Sequence, residues 1–128
     1  MRGIEFRGKI VGAEGFVYGK LLAPLASGNA YIAYDVNEVG SFAYISRSEK
    51  VDPETVGQYT GLKDKSDNKI FEGDIGWDEH KECYGVVKFE EGKFLYVWEN
   101  IVEDLWEVAD NIEVIGNIHE NPELLEEK

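Results

Sequence analysis

The sequence predicts a mainly β protein, and three observations carry that reading. Short apolar runs recur at close intervals, glycine-bearing turns separate them, and stretches of helical spacing are few. The pattern predicts short antiparallel strands forming an SH3-like or similar small barrel over about 72–118. It adds an N-terminal β section over 1–50 and a short C-terminal helix. With 128 residues, 43% of them apolar and 12% aromatic, the chain is one domain's worth of folded sequence. No Pro/Ser/Gly-rich linker separates 1–50 from 58–128, so one compact unit with two subregions is expected.

The elements follow in order. Glu5 to Ile10 alternates loosely as a first strand, Gly12-Ala13-Glu14-Gly15 turns the chain, and Phe16 to Leu22 returns as the second strand of a hairpin. Pro24 to Asn29 is loop by composition. Asn29 to Tyr34 reads as a strand, and Phe42-Ala43-Tyr44-Ile45 as a further short one. Asp52-Pro53-Glu54-Thr55-Val56-Gly57 has the order of a brief helical turn: Asp52 as cap, Pro53 where a missing donor is harmless, Gly57 as left-handed stop. Gln58-Tyr59-Thr60 is extended, and Lys63 to Lys69 is a polar hairpin tip in which Asp67-Asn68 tolerates positive φ. Gly76 removes a packing side chain, so the next strand is expected to begin effectively at Trp77.

Cys83 to Phe89 and Lys93 to Trp98 are two strands joined by Glu90-Glu91-Gly92. In the second, Phe94, Tyr96 and Trp98 share one face while Leu95 and Val97 share the other, as a central strand buried on both sides requires. Asn111 to Ile118 holds a final strand. Asn121-Pro122-Glu123 opens a short acidic helix to the C-terminus, with Asn121 as cap.

Charge narrows the partners. Residues 1–64 carry 7 Lys+Arg against 8 Asp+Glu, and residues 65–128 carry 6 against 18, so net charges of −1 and −12 make up the total of −13. Such a field repels phosphate backbones, and the basic residues form no cluster, so direct nucleic-acid binding is disfavoured. No apolar run reaches signal-peptide or membrane-span length, so no membrane association is expected. One cysteine, Cys83, allows no internal disulfide and suits a reducing cytoplasm, so a bacterial cytoplasmic location is expected.

Candidate chemistry is sparse. His80 and Cys83 stand as His-x-x-Cys, with His119 the remaining histidine, which is too few ligands for a structural zinc site. Cys83 therefore reads as a small packing residue at a strand start, and Glu79 and Glu82 beside it oppose a thiolate. No nucleophile elbow, Gly-x-Gly-x-x-Gly or P-loop occurs. Neither a metal nor a cofactor is expected. Carboxylates at Asp74, Asp78 and Glu79, and at Glu103, Asp104 and Glu107, read as an acidic surface before they read as a catalytic pair. The run Tyr59-Thr60-Gly61-Leu62-Lys63-Asp64 has a structural reading, with Tyr59 and Leu62 in the core, and a recognition reading, with Lys63 and Lys65 at a loop tip. Tyr96, Trp98 and Trp106 are either core or an aromatic groove of the sort that takes proline-rich peptides. The candidate interaction surface is Tyr59, Lys63, Lys65, Trp98, Glu103, Asp104 and Trp106.

A family resemblance rests on blocks in a fixed order: Glu5-Phe6-Arg7-Gly8-Lys9, Phe16-Val17-Tyr18-Gly19, Gln58 to Lys65, Phe71-Glu72-Gly73-Asp74-Ile75, and Gly116 to Leu125. Together they resemble the YopX-like phage and prophage proteins. The departures are Phe16 in place of a common tryptophan, Gly76 in place of a branched apolar residue, and Ser66-Asp67-Asn68 in place of an Asn-Gly turn. The resemblance implies a mobile-element origin and a mostly β architecture, and it brings no catalytic residues. The expected function is a non-enzymatic accessory protein that binds a host or phage protein. The alternatives are an acidic mimic of DNA that blocks a nucleic-acid-binding protein, built on the carboxylates of 99–113, and an uncharacterised hydrolase. Exposed edges and aromatics also allow a homo-oligomer.

Overall fold

The structure, a computed structural model, describes residues 4–22 and 26–126, apart from the side chains at 36, 44 and 46. The chain divides into two compact units, Met1–Gln58 and Tyr59–Lys128. Among the described residues no helix is long and apolar enough to cross a membrane.

In the first unit β1 (Phe6–Lys9), β2 (Phe16–Leu22), β3 (Ala30–Val39) and β4 (Phe42–Val51) lie in the order β4-β3-β2-β1, all antiparallel. The first residues of β5 (Gly57–Lys63) continue the sheet, Gly57 opposite Arg7 and Gln58 opposite Phe6. The core is small: Ala30, Ile32 and Val51 are buried, with Phe6, Val17, Leu21 and Val56 packed against them. The expected strands at 29–34 and 42–45 grow into a hairpin of two ten-residue strands. Among the described side chains of its outer half none is buried, yet the backbone pairing continues to Val39 opposite Phe42. Tyr34, Val39, Phe42 and Ile45 are all exposed there. In the loop expected from Pro24, positions 24 and 25 lie outside the described residues, as do the last two of the C-terminal segment.

The turn at Pro53–Thr55 forms as a 3-10 segment, and Asp52 caps it by accepting from the Glu54 N–H at 3.1 Å. Gly57 is not its stop. Val56 is extended there, and Gly57 instead opens β5.

In the second unit the remainder of β5 pairs with β6 (Lys69–Phe71), around a tip where Asp67 takes the positive φ expected of it. Then come β7 (Asp74–Asp78), β8 (Cys83–Glu90), β9 (Lys93–Trp98), β10 (Ile101–Asp104), the single turn α1 (Leu105–Val108) and β11 (Ile112–Asn117). A 3-10 segment, Pro122–Glu126, supplies the short C-terminal helix. The sheet order is β10-β9-β8-β7-β11, which corrects one expectation: the strands of 72–118 form an open sheet, not a closed barrel. Closure would need β10 against β11. Instead the chain passes through α1, which buries Leu105 and Val108 on the core face, and Ala109 and Ile112 follow one turn later. A helical stripe fills the space that a barrel would have enclosed.

Tyr96 on β9 lies at the centre of this core, 1% exposed, beside Val87 and Ile112. Two glycines make room for its ring. A Cβ at Gly85 would sit 2.3 Å from Tyr96 Cζ, and one at Gly76 would sit 3.1 Å from Tyr96 Cε1. Gly76 therefore does not delay the strand, which begins at Asp74, and a branched residue there would collide with Tyr96 and Ile112. β9 is interior, as its two apolar faces required, although Tyr96 alone among its side chains is fully buried. Asn121 turns back from the final segment: its Oδ1 accepts from the Asn117 N–H at 3.2 Å, so it closes the preceding loop.

Candidate functional site

The sheet of the second unit offers two faces, assigned by strand alternation. Gly76, Asp78, Gly85, Tyr96 and Trp98 share the core face, while Trp77, Tyr84 and Val97 share the other. The β7–β8 hairpin sets the geometry at one end. Asp78 is buried, and its Oδ1 accepts from the N–H groups of His80 (2.9 Å) and Lys81 (3.2 Å), which folds the loop. Glu82 then takes φ 52° to re-enter β8, and Glu99 takes φ 53° in the β9–β10 turn. Both are left-handed conformations that ordinary side chains resist.

On the outer face Trp77 stands opposite Tyr84, their ring centroids 4.8 Å apart and tilted by 56°. These rings and Val97 floor a half-open groove of about 680 Å³, with Leu124 and Leu125 as one wall and Glu82 and Glu99 at its margin. Among the described residues neither glutamate has a cation within ion-pairing distance.

The core face carries a different cluster at the same end. Glu103 Oε2 accepts from Trp98 Nε1 at 2.5 Å and from Lys81 Nζ at 3.1 Å, and Lys81 lies 4.6 Å from the centre of the Trp98 ring. The Trp98 hydrogen bond and the lysine outweigh partial burial and hold the Glu103 carboxyl below its ordinary value. The bond to Glu103, with Asp78 also near, holds Lys81 above its own. Burial, followed by Glu99 and Asp78, pushes the Cys83 thiol up. Burial leads, and the acidic neighbours that add to it are Glu99 and Asp78, not Glu79 and Glu82. A thiol kept protonated is a poor nucleophile.

A third polar site is structural. Asp64 is buried under the β5–β6 tip, where its Oδ1 accepts from the N–H groups of Ser66 (2.9 Å) and Asn68 (2.8 Å) and its Oδ2 from Val114 N–H (2.8 Å). Burial works against the anion, but these bonds outweigh it, and the carboxyl sits below its ordinary value.

The sequence-predicted residues are dispersed. Trp98 and Glu103 meet directly, and Asp104 is held by Lys93 at 3.2 Å. Lys63 pairs with Asp67 at 3.8 Å and Lys65 with Glu79 at 3.4 Å. Tyr59 stacks on Phe71 with centroids 5.4 Å apart, and Leu62 packs on the core, in line with the structural reading of that run. Trp106 is 67% exposed on α1. Tyr96 is buried, which rules it out of any groove made with Trp98 and Trp106. Trp77, Tyr84, Glu82 and Glu99 were not among the candidate site residues read from the sequence; the one available signal was two aromatics flanking a short acidic hairpin loop. Cys83 starts β8 half-buried, and no group of His, Cys, Asp and Glu able to hold a metal occurs among the described residues.

Comparison with known proteins places this geometry. Residues 5–126 match the family model described as YopX protein. The fold is similar to the crystal structure of protein EF1440 from Enterococcus faecalis, with a TM-score of 0.69 and 23% identity over 95% of this chain and 97% of that one. A search of curated proteins finds no match.

Proposed function

This chain belongs to the YopX family, and from that premise we propose that it is a phage-type accessory protein that acts by binding another protein, not by catalysis. The observation that carries the reading is the outer groove of the second unit, where Trp77 and Tyr84 offer an aromatic floor beside two carboxylates that no cation of the described residues pairs. A concave surface that sets aromatic rings beside polar groups is one form that a recognition site takes. Three buried carboxylates that could have served chemistry are committed to the fold: Asp64, Asp74 and Asp78 each accept from backbone N–H groups. The DNA-mimic alternative draws less support, because Glu103 and Asp104, in the acidic segment it relies on, are neutralised by Lys81 and Lys93.

The test is affinity capture from nuclease-treated bacterial lysate, with and without phage infection. Three baits are compared: the native chain, Tyr84→Ala, and a variant with Glu and Asp of 99–113 changed to Gln and Asn, all checked for native circular dichroism. A partner held by the native chain but lost with Tyr84→Ala supports the groove. Equal retention by Tyr84→Ala overturns it, and loss confined to the charge-neutralised bait turns the function toward the mimic.

A further inference from the structure

The two faces of the second sheet carry related sets of groups at the same end, and only one set is complete. On the core face a tryptophan, a glutamate and a lysine meet: Lys81 lies 4.6 Å over the Trp98 ring and 3.1 Å from Glu103. An ammonium over an indole face, with a carboxylate at the ring's edge that accepts from both the ammonium and the indole N–H, satisfies both the ring quadrupole and the ion pair. On the outer face the groove repeats two of the three parts. Trp77 and Tyr84 supply rings, and Glu82 and Glu99 supply carboxylates, yet no lysine or arginine of the described chain reaches either glutamate.

Charge strengthens the point. Residues 65–128 carry a net −12, so two carboxylates at this groove raise the local negative field instead of relieving it. Each is also held in a left-handed backbone conformation, and unpaired charge at an aromatic margin gains nothing for the fold. Supplied from outside, a cation would find an aromatic floor for its methylene stem and two carboxylates for its head.

We infer that the outer groove receives a basic side chain, lysine or arginine, flanked by apolar residues on a segment of the partner protein, in the arrangement that Lys81, Trp98 and Glu103 already form on the core face. The inference rests on the groove being the binding surface proposed above, and it specifies the chemistry of what enters. A second copy of this chain is a poor occupant, because neither of its halves, at −1 and −12, brings net positive charge to the −12 half that holds the groove.

The experiment titrates the isotope-labelled full chain with acetyl-Leu-Lys-Leu-amide and, separately, with the norleucine analogue, which keeps the stem and removes the charge. The expected result is movement of the Trp77 indole and of the Glu82, Tyr84 and Glu99 amide signals with the lysyl peptide. The norleucyl peptide should need about tenfold more to give the same response. Glu82→Gln with Glu99→Gln should weaken the lysyl response by about the same factor, while the Trp98 indole signal stays in place as the fold control. Equal responses to the two peptides, or no movement at the groove, overturn the inference. A partner captured through Tyr84 that is indifferent to Glu82→Gln and Glu99→Gln would leave the binding surface standing and remove its proposed cation.

Discussion

The two units hold their strands by different means. In Met1–Gln58 a core of three fully buried apolar residues supports a sheet whose longest hairpin, β3–β4, projects exposed side chains over its outer half. In Tyr59–Lys128 seven buried residues form the core, and buried polar groups such as Asp64 and Asp78 pin the loops. Charge divides in the same way: residues 1–58 hold 6 Lys+Arg against 7 Asp+Glu, leaving 7 against 19 for residues 59–128. The second unit thus concentrates both packing and repulsion. Its carboxylates are tolerated because several of them accept hydrogen bonds that the fold needs.

The sharpest test of this contrast is Gly85→Ala. Its Cβ would lie 2.3–2.6 Å from two ring carbons and the hydroxyl oxygen of Tyr96, a side chain only 1% exposed. A loss of about 3 kcal/mol is expected in urea denaturation, at the upper end for overpacking. A loss below about 1 kcal/mol would mean that the ring does not lie across β8.

Next in size is Asp64→Ala, which strands the N–H groups of Val114, Ser66 and Asn68 and should cost about 2 kcal/mol. The pH dependence has a definite sign. The folded carboxyl lies below its ordinary 3.8, so its contribution is present above that value and is lost as pH falls through the folded value. Asp64→Asn should therefore lower stability at neutral pH and flatten the acid limb of the stability profile. An unchanged acid limb would show that the cradle does not select the anion.

How much of this was legible in the sequence depended on whether a signal was local. β2 and β9 match their apolar runs from end to end, and Asp52 and Asp67 behave as their residue types dictate. β3 was missed beyond Tyr34, where Asp35, Asn37 and Glu38 interrupt the apolar run, and β4 beyond Ile45, where Arg47-Ser48-Glu49-Lys50 is polar. Leu105, Val108, Ala109 and Ile112 do show helical spacing, but a single turn is too short to stand out among strands. Missing it made the sheet look like a barrel. At the site, Trp98 and Glu103 were named, but Lys81 lies far along the chain and joins them only through the β7–β8–β9 register. The Trp77–Tyr84 pair has the same origin, since the loop between β7 and β8 alone decides that these rings face each other.

Tyr96 gives a smaller effect of opposite sign. Among the described residues its buried hydroxyl has no hydrogen-bond partner, so Tyr96→Phe should stabilise the protein by about 1 kcal/mol, provided the ring stays in place. Burial raises the phenol above its ordinary 10.0, so stability is unaffected by this group's titration below that pH and falls as pH climbs from it toward the folded value. The alkaline unfolding midpoint should rise in Tyr96→Phe, and a midpoint that stays put would assign alkaline unfolding to other groups.

The smallest effect belongs to the first unit. Phe42 is 75% exposed near the tip of the β3–β4 hairpin, so it has almost no burial to lose. Phe42→Ser should change stability by less than about 0.5 kcal/mol, within the range of ordinary surface substitutions. Hydrogen exchange extends the test without mutation. Amides of Glu38 to Ala43 should exchange through local opening, whereas those of Val87 and Tyr96 should exchange only on global unfolding. If the hairpin amides were as protected as Tyr96, some interaction of the isolated chain would have to cover that ribbon. A Phe42→Ser loss of 2 kcal/mol would then follow from the same cause, because the ring would be buried in solution.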